Sequence, residues 1–99
     1  MDFKKQTEQK RLEIQKQQNQ PVIAIIVEDK AAFFRTPRRA EVSYAMTLLA
    51  NDPLQAYSSV LQSCYLEGDR EILDDDDYFI SAAPNANALI STKVSEVLK

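Results

Sequence analysis

The sequence predicts a small α+β domain preceded by an N-terminal arm, and three observations carry that expectation. Val22 to Val27 is an unbroken apolar run rich in Val and Ile, the composition of a buried strand. Residues 36 to 68 place apolar side chains at helical spacing between start and stop signals, and two more short helical patterns follow Gly68. The chain has 99 residues, 44% hydrophobic and 27% charged, which suits one globular core rather than a disordered or membrane-spanning chain. Residues 1–20 are read as the arm and residues 21–99 as a single α+β domain.

The arm, MDFKKQTEQKRLEIQKQQNQ, is Gln/Lys-rich, with Phe3, Leu12 and Ile14 as its sizeable apolar anchors after Met1. Good helix formers with so thin an apolar face predict a helix in part, mobile unless a neighbour takes it. Positions 3, 7, 10 and 14 have heptad-like spacing, but Thr7 and Lys10 make a poor coiled-coil seam. The arm holds five basic and three acidic residues, so the remainder of this chain of net charge −3 is distinctly acidic.

Pro21 ends the arm, and PVIAIIVEDKAAFFRTP reads as a β-hairpin broken at Glu28-Asp29-Lys30. A run apolar at every position expects cover on both faces, by helices, another strand or a second subunit. With no glycine in the break, the connection is expected to be longer than a two-residue type I′ turn.

Thr36 followed by Pro37 is a cap-and-first-turn pair, so a helix is expected from Pro37, with Val42, Ala45, Met46 and Leu49 on its buried stripe. Asp52, Pro53 and Gln55 form a capping-box pattern for the next helix, whose stripe is Leu54, Tyr57, Val60, Leu61 and Cys64. Gly68, the one glycine of the chain, stands where that helix would need a residue of positive φ to end it. Residues 37 to 67 are therefore expected to be a helical hairpin. Asp74 or Asp75 caps a short helix that stops or kinks at Pro84, and a last helix is expected over residues 85 to 98, with Ile90, Val94, Val97 and Leu98 inward.

Function classes are narrowed mainly by what the chain lacks. It has no histidine, which removes His-based triads, Cys–His pairs and the commonest metal ligand, and no GxSxG, SxxK or phosphate-binding glycine loop. A non-enzymatic protein without cofactors is the expectation. The single cysteine, Cys64, excludes an intrachain disulfide and fits a buried thiol in a reducing compartment. No apolar run reaches signal-peptide or membrane-spanning length, so neither secretion nor membrane insertion is expected. Asp74 to Asp77 lacks the alternating ligands and glycine of a calcium loop and is read as a solvated helix start. Arg35, Arg38 and Arg39 beside Phe33 and Phe34 could grip phosphate or bases, but in an acidic domain a protein contact is the better reading. These five residues are the candidate partner-binding set, and a domain of this size is expected to gain from homo-oligomerisation.

Five short patterns recur here in a familiar order: Asp29-x-x-Ala32; Arg35-x-Pro37-x-Arg39; Ala45-Met46; Cys64-Tyr65-x-x-Gly68-Asp69; and Asp76-Asp77 before a helical region. In that order and spacing they resemble a family of small proteins from the structural gene modules of tailed bacteriophages and prophages, similar to tail assembly chaperones. The resemblance covers roughly half of the chain, from Asp29 to Ser81; Tyr65 stands where tryptophan is the family's residue, and the arm has no counterpart. It implies a morphogenesis protein acting in the host cytoplasm, binding another phage protein such as the apolar helices of a tape measure until the tail tube assembles. The alternative it leaves open is a structural virion component, a connector or tail-associated subunit, with the arm tying neighbours together.

Overall fold

The computed structural model describes residues 2–86, 89, 97 and 98. Helix α1 (Phe3–Gln18) leads into strands β1 (Val22–Val27) and β2 (Lys30–Arg35), helices α2 (Arg39–Leu49) and α3 (Pro53–Cys64), strand β3 (Tyr65–Gly68), and the short helices α4 (Glu71–Asp74) and α5 (Asp76–Ala82), with a 3-10 turn at Ala83–Asn85. The strands form one antiparallel sheet in the order β1-β2-β3. The α+β architecture and the order of arm, hairpin and helices are those the sequence predicts.

The sheet is the middle of three layers, because side chains alternate between its faces. Ile25, Val27, Ala32 and Phe34 point into the main core with Ala45, Val60, Leu61, Cys64 and Ile72 from the helices. Val22 and Phe33 point the other way and bury Ile14 of α1, with Ala24 and Leu66 packed alongside. This explains why β1 is apolar at every position, and the arm is what covers its second face. Thr7 and Ile14 are the buried residues of α1. The weak heptad-like spacing is thus a seam against the helix's own sheet, while Leu12, expected as an anchor, is exposed. Asp2 accepts from the Lys4 N–H to open α1, and Asn19 at φ 53° closes it.

Four local expectations are corrected. Val27 pairs with Lys30, so the hairpin turns in two residues, Glu28 and Asp29, and not in a longer loop. Glu28 takes the positive φ of 57° that such a turn normally gives to glycine. Helix α2 starts at Arg39, not Pro37, and Thr36 does not cap it. Instead Glu41 reaches back to accept the Arg38 N–H at 2.7 Å, because its carboxylate is already held in place by Arg35 of β2. On the helices, Met46 and Leu54 of the expected stripes are exposed, while Ala45, Ala56, Val60, Leu61 and Cys64 are buried. Asp52 caps α3 as expected, accepting from the Gln55 N–H, but the reciprocal half of the capping box is replaced, the Asp52 N–H donating to the Leu48 carbonyl.

The fourth correction concerns Gly68. Helix α3 ends at Cys64 and the next four residues are a strand, so Gly68 is no helix cap. Its φ is 117°, and a Cβ there would stand 2.6 Å from the Ala31 carbonyl oxygen and 2.7 Å from the Ala32 Cα. The glycine lets β3 close on β2, beyond a bulge at Phe33/Phe34. Asp69 then fastens the end of the ladder, its N–H donating to the Ala31 carbonyl and its carboxylate accepting the Ala31 N–H at 3.0 Å.

Asp75 caps α5, accepting from the N–H groups of Asp77 and Tyr78, and α5 stops at Ala82 before Pro84. Ahead of it, α4 buries Ile72 and Leu73. Most of the predicted last helix, including Ile90 and Val94, lies outside the described residues; Ala86 and Leu89 are helical and buried, whereas Val97 and Leu98 are exposed and not helical. No helix among the described residues is long and apolar enough to cross a membrane.

Candidate protein-binding surface

The five residues singled out as a contact set are brought near one another in sequence but not on one surface. Phe33 and Phe34 are consecutive in β2 and therefore point to opposite faces, Phe33 under α1 and Phe34 into the main core. Both are buried, so neither is presented to a partner in this fold. Phe34 meets Tyr65 edge to face with ring centroids 6.1 Å apart.

Arg35 is also committed internally. Its guanidinium holds the Glu41 carboxylate with both nitrogens, at 2.9 and 2.7 Å, and donates to the carbonyls of Thr36 and Ser63. One side chain so joins β2, the start of α2 and the end of α3. The forked pair and the Arg38 N–H hold the Glu41 carboxyl well down, at about 2 against an ordinary 4.5. Burial pushes the nearby Cys64 thiol up to about 11, so it is a packing group, not a nucleophile, at neutral pH. Arg38 and Arg39 are the two members of the set that remain exposed.

Two further surfaces lie wholly or partly outside that contact set. One is the outer face of α2, where Met46 is 53% and Tyr44 58% exposed. On a helix of 3.6 residues per turn these lie on opposite shoulders of one solvent-facing arc, with Arg39, Ser43 and Thr47 between them. The available signal was the seven-residue interval from Arg39 to Met46, which keeps a charged and an apolar side chain on the same side. The other is the open edge of β1, beside a groove whose other wall is α1: Val22, Ala24 and Ile26 line it with Asp2, Lys4, Lys5, Glu8 and Arg11. Ile26 is 37% exposed.

Among the described residues, no three His, Cys, Asp or Glu side chains converge as a metal site. In the acidic run, Asp74 pairs with Arg70 and Asp75 caps α5. Arg70 also lies 5.1 Å over the Tyr65 ring.

The residues of the five short sequence patterns differ in location, Ala45 being buried on α2. Arg35, Cys64, Gly68 and Asp69 build the β2–β3 ladder and the core beneath it, whereas Arg39, Met46, Asp76 and Asp77 face solvent. No protein family, curated protein or solved structure matches this chain in comparison searches.

Proposed function

We propose that the protein is a non-enzymatic morphogenesis protein of a tailed bacteriophage or prophage, similar to tail assembly chaperones, acting in the host cytoplasm by binding another phage protein such as the tape measure. The observation that carries this reading is that Arg39 and Met46, both within the resemblance, sit on one exposed flank of α2 and take no part in the core. Arginine and methionine are side chains enriched at protein interfaces, and the exposed Tyr44 stands on the opposite shoulder of the same arc. Met46 offers a flexible apolar contact for helices of varied shape.

Co-expression with the tape-measure protein tests it. The wild-type chain is expected to retain the tape measure in a pull-down, and Met46→Asp to lose it while keeping its melting temperature, because Met46 is exposed. Recovery of nothing by the wild-type chain sinks the chaperone reading. The alternative of a virion component draws less support, since the arm that would tie neighbouring subunits instead lies on its own sheet. Mass spectrometry of purified particles separates the two: a chaperone is absent from mature virions.

A further inference from the structure

The backbone of β1 faces two ways, and its open side is defined by the hairpin. In a two-residue turn the flanking residues, Val27 and Lys30, exchange backbone hydrogen bonds. Bonding then alternates, so Ile23 and Ile25 pair toward β2 while Val22, Ala24 and Ile26 direct N–H and C=O away from the sheet. The far side of the hairpin agrees, since Ala31, on the opposite parity to Lys30, bonds outward to Asp69. So does Val22, whose N–H donates to the Gln15 side chain at 3.1 Å and whose carbonyl accepts from Arg11 at 3.0 Å.

Among the described residues, α1 satisfies the outward groups of Val22 but no hydrogen bond from outside the sheet reaches those of Ala24 or Ile26. Natural edge strands are usually blunted by lysine, proline or a bulge. Val22–Val27 carries none of these.

We propose that the open edge of β1 pairs with β1 of a second copy, antiparallel about a two-fold axis at Ile25, joining two three-stranded sheets into one of six strands. The register follows from which groups are free. Side chains opposite each other must share a face, so the two-fold falls on a residue. An axis at Ala24 would need the Val22 N–H and C=O, which Gln15 and Arg11 already hold. An axis at Ile25 uses only Ala24 and Ile26, each bonding the other across the interface, and leaves no outward group of either unpaired.

The side chains fit the same register. It sets the small, half-buried Ala24 against the large, exposed Ile26 of the partner, twice, and Ile25 against Ile25 on the core side. The groove wall on α1 carries both signs, Asp2 and Glu8 with Lys4, Lys5 and Arg11. Of these, Glu8 and Arg11 already pair with each other within α1. A foreign strand could use the same backbone groups, but nothing would require it to match the Ala24/Ile26 alternation. The inference rests on the strand alone and is independent of the α2 surface proposed above.

Light scattering and amide hydrogen exchange on the full chain test it together. The wild-type chain is expected at twice the monomer mass, with the Ala24 and Ile26 amides slowed roughly a hundredfold relative to dilute, dissociated protein. Ala24→Pro removes one outward N–H without touching the β1–β2 ladder, and is expected to give a folded monomer in which the Ile25 amide stays protected and the Ile26 amide exchanges fast. Should that variant fail to fold, Ile26→Lys is expected to halve the mass in the same way. A wild-type monomer throughout the micromolar range overturns the proposal. So does a dimer whose mass survives both substitutions, or one whose Ile26 amide is unprotected. Protection of these amides only on adding another phage protein also overturns it, assigning the edge to that partner.

Discussion

Replacing Gly68 tests the part of the fold where sequence and structure differ most. If Gly68 only ended a helix, Gly68→Ala would cost about 1 kcal/mol and Gly68→Asn less, since asparagine accepts the left-handed conformation. The structure requires more. A side chain at φ 117° is strained, by about 1–3 kcal/mol. Its Cβ would also lie 2.6 Å and 2.7 Å from backbone atoms of Ala31 and Ala32, which cannot rotate aside as a side chain would. Separating β3 from β2 to relieve that contact adds a cost comparable to overpacking, about 1–3 kcal/mol, and strains the Asp69 bonds to Ala31. Allowing for the alanine's smaller unfolded-state entropy, the net loss is about 3 kcal/mol for either substitution. In a domain of this size that lowers the melting temperature by roughly 12–24 °C. Urea unfolding followed by far-UV circular dichroism, with an unchanged m-value, measures it. A loss below about 1 kcal/mol for Gly68→Ala, or a near-neutral Gly68→Asn, would refute the close-approach argument.

The remaining predictions concern the core and the Arg35–Glu41 pair. Leu61→Asp places an unpaired carboxylate where the native side chain is fully buried, and is expected to cost at least about 4 kcal/mol, unfolding a marginal domain. An unchanged melting temperature would remove Leu61 from the core. Glu41 has its folded pKa depressed to about 2 from 4.5, so its contribution is complete above pH 4.5 and is lost as pH falls toward 2. Discounted for solvent screening, that contribution is about 1–2 kcal/mol. Glu41→Gln should therefore lower the melting temperature at pH 7 and narrow its gap to wild type by pH 2. A gap that is constant or widens with acid would contradict the assignment.

The contact set shows how far residue type alone can carry a site. Phe33, Phe34 and Arg35 have interface composition, but in a strand covered on both faces that composition is what the two cores and a cross-element ion pair demand. Only Arg38 and Arg39 stayed at the surface. Conversely, Met46 fits the helical period for burial, yet α2 is rotated so that Ala45 alone of its residues is buried. A helix whose apolar groups span a wide arc does not say which part of that arc its neighbours will cover.

Local chemistry was sufficient where the interaction is local. The α+β class, the apolar strand with two covered faces, the Asp52 cap and the break at Pro84 could all be read from a few adjacent residues, because capping, periodicity and ring constraints act within one turn. Tertiary structure decided what depends on distant partners. Arg35 drew Glu41 into capping α2 in place of Thr36. Pairing with β2 drew residues 65 to 68 out of the helix and made Gly68 a contact between strands. The sheet also gave the thin apolar face of the arm a surface to cover, which no periodicity within the arm could specify.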